Sequence, residues 1–166
     1  MKNLNTKPKK GFTIIEVVLV LAIAALIFLM VFIALPNLQV SQRDTQRRDD
    51  LARFAAQITQ YSSNNRGKVP HTGFTTEADQ TNQWKAFLAD YLNSNGDEFV
   101  DPDGNAYAVK YMGDSTKYTA APSFDHEIKV YGNAKCDGEK IVASTGERKV
   151  AFLYKLEGAG VYCGNN

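Results

Sequence analysis

The chain has 166 residues, enough for one domain with a modest core, and its 19 basic and 18 acidic residues give a formal net charge of +1. That balance hides an asymmetry, because Lys2, Lys7, Lys9 and Lys10 all precede Gly11 and no acidic residue does. Without those four lysines 15 basic residues face 18 acidic ones, a net charge of −3, which argues against a dedicated nucleic-acid binder with a basic surface.

The first element in chain order is apolar. Val17 to Leu35 contains no polar residue, close to the ~20 residues that cross a bilayer as a helix. Lysines lie before it and none lies within it, so the positive-inside rule puts the N-terminus in the cytoplasm and the bulk of the chain outside. An ordinary secretory signal has a shorter apolar core followed by small residues at the cleavage site. Here Pro36-Asn37-Leu38-Gln39 follows instead. A plain signal anchor fits length and charge but leaves Glu16 without a reason, since a carboxylate in an apolar helix costs about 2.5–3.5 kcal/mol at the bilayer centre and less toward an end. Taken alone, Glu16 is equally compatible with hydration at the membrane interface.

The stretch Lys9-Lys10-Gly11-Phe12-Thr13-Ile14-Ile15-Glu16 resembles the processing site of type IV prepilins. The shared pattern is a short basic leader, a glycine, a phenylalanine, and a glutamate fifth after the cut that opens a long apolar run. The resemblance is sharpest over residues 7–35. It implies cleavage after Gly11 by a prepilin peptidase, methylation of the new Phe12 amine, and a role for Glu16 in assembly. A glycine suits such a cut because it lets a protease approach the backbone closely.

Pro36 removes one helix hydrogen bond, giving either a stop or a kink or loosened turn within a longer helix. Resumed patterning favours the kink: Leu51, Phe54, Ala55, Ile58 and Tyr61 follow three- and four-residue spacing. Asp44 with Arg48 and Asp49 with Arg53 have the spacing of helical ion pairs. Residues 43–50 read either as a solvated face or as a salt-bridging surface between subunits. Asn64, Asn65 and Gly67, with Pro70 beyond, end the helix. From Phe12 to Ser63 it would run roughly 78 Å, too long for a compact domain.

A second helix is expected over about Asp79–Leu92, with Trp84, Phe87, Leu88, Tyr91 and Leu92 as a core stripe and Thr76 and Asp79 as a capping box. Asp101-Pro102-Asp103-Gly104 fits a type I turn. Short strands follow at Tyr107–Tyr111, Glu127–Tyr131, Val150–Leu156 and Val161–Cys163. Asp101, Asp103 and Asn105 invite a calcium reading. However, the glycine comes too early for an EF-hand loop and Met112 stands where its closing glutamate would be. Turn chemistry accounts for the group without metal. His71 and His126 have no ligand spacing, and no catalytic triad, phosphate loop or zinc motif is present. No catalysis, cofactor or metal is expected. In an exported chain Cys136 and Cys163 form one disulfide; in a cytosolic one they would be free thiols.

The expected fold is α+β, a long N-terminal helix packed on a small antiparallel β-sheet head. Its parts are a cleaved leader at 1–11, an apolar membrane and filament-core helix at 12–38, an amphipathic half at 39–66 and a head at 67–166. The resemblance implies a structural homo-oligomer, held in the cytoplasmic membrane as a single-pass precursor and then polymerised into an extracellular pilus. It also implies a platform protein and assembly ATPases as partners, and service in adhesion, motility, DNA uptake or host contact. The rivals are a pseudopilin of a type II secretion or competence system, whose turns the Asp-Pro-x-Gly-Asn segment also resembles, and a membrane-anchored monomeric domain that keeps its leader.

Overall fold

A computed structural model describes residues 11–94, 98–114, 126–146, 148–158 and 160–166. The basic leader, residues 1–10, lies outside the described residues. The chain divides into two units, Met1–Gln39 and Val40–Asn166. Helix α1 (Ile14–Asn64) contributes to both.

In the first unit α1 starts at a cap. Thr13 accepts from the Glu16 backbone N–H through both its carbonyl, at 3.1 Å, and its Oγ1, at a long 3.4 Å. Thr13-Ile14-Ile15-Glu16 is thus the first half of a capping box, and the carboxylate sits at the positive end of the helix dipole. The large apolar side chains from Phe12 to Leu38 are exposed, Phe12 at 84% and Met30 at 75%. The chain stays helical through Pro36, so the proline does not end the helix.

In the second unit a four-stranded sheet carries a layer on each face. Helix α2 (Glu77–Tyr91) begins two residues earlier than its periodicity suggests, because Thr76 is its N-cap and accepts from the Asp79 N–H at 3.1 Å. Strands β1 (Ala108–Asp114), β2 (Glu127–Gly132), β5 (Val150–Lys155) and β6 (Val161–Asn165) form a sheet in the order β1-β2-β5-β6. Strands β3 (Ala134–Asp137) and β4 (Lys140–Ala143) form a separate hairpin. One sheet face, with Val109, Tyr111, Ile128, Val130, Phe152 and Tyr154, packs on Leu51, Phe54 and Ile58 of α1 and on Trp84 and Phe87 of α2. Phe54 lies at the centre, its ring 5.0 Å from that of Phe152 and 5.8 Å from that of Phe87. Beneath β6, a side chain at Gly164 would meet the Phe152 ring at 2.3 Å, so only glycine fits there.

The α+β architecture is as expected, with two differences in the sheet. β1 runs parallel to β2, whereas β2, β5 and β6 are antiparallel neighbours. Alternation of apolar residues carries no strand direction, and the twelve residues between β1 and β2 are long enough for the crossover that a parallel pair requires. The β3–β4 hairpin was not foreseen. Only Ala134 and Ile141 of its eight residues are buried, so its apolar pattern is faint. It covers the second sheet face at Tyr131, Ala151 and Leu153.

Cys136 of β3 and Cys163 of β6 form a disulfide, Cα–Cα 5.8 Å, across a sequence separation of 27. It holds the hairpin against the second face of the sheet. Replacing both cysteines by serine is expected to lower stability by about 3–4 kcal/mol on the chain-entropy estimate. It should also increase binding of a hydrophobic dye at Tyr131, Ala151 and Leu153 while the four-stranded sheet persists. Urea titration with dye fluorescence reads both effects, and an unchanged midpoint would contradict them.

Candidate functional site

Two groups of residues bear on function, one in each unit. In the first, Gly11 and Phe12 precede the helix and are exposed. A side chain built at Gly11 meets nothing within 4 Å. Glu16 follows in the first helical turn, exposed, and its carboxylate has no hydrogen-bond or ion-pair partner among the described residues. Phe12, Val17, Val20 and Leu21 flank it and line a shallow apolar groove. An exposed carboxylate within such a surface is poorly placed in lipid unless it meets a cation.

In the second unit the group is an ionic network around Arg47. This residue is fully buried. Its guanidinium grips Asp101 with two parallel bonds, Nε to Oδ2 at 2.8 Å and Nη2 to Oδ1 at 2.7 Å. Nη1 donates to Asp44 and to Glu157, both at 2.9 Å. Arg43 also binds Glu157, with Nε to Oε2 at 2.7 Å. The Asp44 carboxylate accepts from the backbone N–H groups of Glu157 and Gly158, at 3.0 and 2.8 Å. Asp101 further accepts the Tyr154 hydroxyl at 2.7 Å and the Asp103 N–H at 3.1 Å. One arginine thus ties α1 to the Asp101 turn and to the β5–β6 turn.

The titration behaviour follows from this geometry. Burial pushes the Asp101 carboxyl up, but bonds from Arg47, Tyr154 and the Asp103 N–H outweigh it and hold the group at about 2. Arg43, and then Arg47, hold Glu157 at about 2. Asp50 moves the other way, raised by burial against the opposing bond from the Tyr107 hydroxyl.

The ion pairs expected from helical spacing do not form. Arg47, three residues from Asp44, takes the place foreseen for Arg48. Arg53 donates to the Leu92 carbonyl at 2.9 Å and lies over the Phe99 ring rather than pairing with Asp49. Tertiary partners at fixed positions outcompete exposed neighbours on the same helix, whose pairing contributes only ~0.2–0.5 kcal/mol. Residues 43–50 are therefore mixed: Arg48 and Asp49 are exposed, while Arg43, Asp44 and Arg47 face inward to partners within the chain.

Asp101, Asp103 and His126 bring one ligand atom each within 4.8 Å of one another, a geometry that can hold a metal ion. His126 Nε2 lies 3.4 Å from Asp103 and its Nδ1 lies 3.9 Å from Asp101. Both Asp101 oxygens are already engaged by the Arg47 guanidinium, so a metal there would compete with a resident cation. Turn bonds account for the rest, with the Gly104 N–H donating to the Asp101 carbonyl at 2.8 Å and the Asn105 N–H to Asp103 Oδ1 at 3.0 Å.

Residues 6–32 match the family model of the prokaryotic N-terminal methylation motif. No curated protein and no solved structure matches the chain. The motif and the long apolar helix together support a type IV pilin-like or pseudopilin-like prepilin, and they point to a structural protein.

Proposed function

We propose that the chain is the structural subunit of a type IV pilus. A prepilin peptidase removes residues 1–11, cutting after Gly11, and the new Phe12 amine is methylated. The apolar helix, residues 12–38, holds the precursor in the cytoplasmic membrane. A platform protein and ATPases then extract it into a filament outside the cell, where the same helix packs among its copies and Glu16 neutralises an N-terminal amine. Residues 39–66 carry the amphipathic half of the helix and 67–166 the head. Such a filament serves adhesion, motility, DNA uptake or host contact.

The observation that carries this reading is the coincidence of the methylation motif at residues 6–32 with an apolar helical stretch in which no residue from 12 to 38 is buried. Exposed apolar area is unfavourable in water by about 25 cal/mol per Å², so this helix requires lipid or other helices. The pseudopilin reading shares these features and is favoured by the Asp101–Asn105 turn alone. Shearing cells and identifying the protein of the fibres separates the two. Long extracellular fibres composed mainly of this chain are expected, and short fibres confined to the envelope would favour the pseudopilin. Gly11→Val is expected to leave the leader attached and abolish fibres. The added side chain has open space in the folded chain, so that loss would report on the peptidase rather than on folding.

A further inference from the structure

The second face of the sheet carries two different surfaces. Strand register puts Lys110 of β1 beside Lys129 of β2, and Lys129 beside Leu153 of β5. Residues two apart on a strand share a face, so Glu127 and Lys155 lie on it as well. The β3–β4 hairpin covers the half with Tyr131, Ala151 and Leu153. The other half carries Lys110, Lys129 and Lys155 together with Glu127, and Lys110 and Glu127 line one cleft with Glu77 and Lys85 of α2. Lys110 is exposed, Lys155 is half-buried, and Lys129 is only 9% exposed. Lys129 is therefore largely covered, and its ammonium is not a buried unpaired atom.

None of these three ammonium groups has an ion-pair or hydrogen-bond partner among the described residues. Arg43 and Arg47, by contrast, are bound to carboxylates. Adjacent strands lie about 4.8 Å apart, and like charges directly opposite each other are destabilising in the isolated subunit. The arrangement therefore favours binding of an anionic surface. Once the leader is removed the chain carries a net charge of −3, with Asp49, Asp79, Asp90 and Glu98 exposed outside the Arg47 network. In a polymer of this chain, neighbouring copies supply acidic surface at high local concentration. We propose that the lysine face of the sheet docks on an acidic surface of a second copy and sets the lateral contact between subunits. This rests on the filament reading above.

The test is carbodiimide treatment of sheared wild-type fibres, which joins amines to carboxylates in direct contact. Denaturing electrophoresis and peptide mapping of the dimer band then identify the joined residues. The expected result is a dimer band enriched in Lys110 or Lys155 peptides joined to an aspartate or glutamate peptide. Lys110→Arg with Lys155→Arg should keep the fibres and lose those cross-links. Lys110→Glu with Lys155→Glu should lower fibre yield at least about tenfold, as like-charge contact does at an interface, while the disulfide and membrane level of the subunit stay normal. Dimers cross-linked only through other lysines, or normal fibres from the glutamate variant, would overturn the proposal and leave the filament reading standing. A wild-type chain that forms no fibres would overturn both.

Discussion

Arg47→Ala is expected to destabilise the Val40–Asn166 unit by about 3–5 kcal/mol, the range for removing one partner of a buried ion pair. The substitution leaves Asp101 fully buried with its charge and without the guanidinium that offsets its desolvation. It also removes the Arg47 bond to each of Glu157 and Asp44. Arg47→Lys should rescue little, because an ammonium cannot reproduce the two parallel bonds to Asp101. Arg47→Met combined with Asp101→Leu should recover much of the loss by removing both charges together. Acid probes the same contact in the unmodified protein. Because the Asp101 carboxyl is held at about 2, below its ordinary 3.8, its contribution is fully present above about pH 4. It is lost as the pH falls through about 2, and amounts to about 2 kcal/mol. Urea midpoints of the detergent-solubilised protein, taken at neutral pH and across the acid range, read both effects. An unchanged midpoint for Arg47→Ala would show that the network contributes nothing.

Glu16→Leu is expected to leave membrane insertion and the head intact and to remove most fibres. Cleavage after Gly11 would put a cationic amine four residues before this carboxylate, within the same apolar surface. An acid and an amine leaving the lipid interface each need a partner, and their pairing offsets part of the desolvation of both. It would also fix axial register between helices whose apolar sides can otherwise slide. Losing about 2 kcal/mol at each such contact weakens association about thirty-fold per step.

The capping geometry supplies a competing role for Glu16, because Thr13 and Glu16 stand at the two positions of a capping box. Glutamine serves that box as well as glutamate does. Glu16→Gln should therefore lose fibres as severely as Glu16→Leu if the charge matters, and keep them if only the cap does. Electron microscopy of sheared material distinguishes the outcomes.

What the sequence made legible was local. The apolar run, the helical spacing of Leu51, Phe54 and Ile58, the Thr76 cap and the Asp101 turn each rest on residues within a few positions of one another. The parallel pairing of β1 with β2 has no such signature, since period-two alternation is identical in either direction. The hairpin at Ala134–Ala143 went unread because it presents one buried face of only two residues. In the candidate sites, Gly11, Phe12 and Glu16 were visible as a motif. The Arg47 network was not, because its partners lie 54 and 110 positions away at Asp101 and Glu157. Residues 43–50 show alternating charges at helical spacing, and nothing local tells which of them the head will claim.

The central claim is that this chain is cut after Gly11 and then polymerised. The most direct test is the mass of the N-terminal peptide of the chain recovered from sheared surface fibres. The account predicts a peptide that begins at Phe12 and carries one N-methyl group. Fibre-borne chain that begins at Met1 or Lys2 would contradict it.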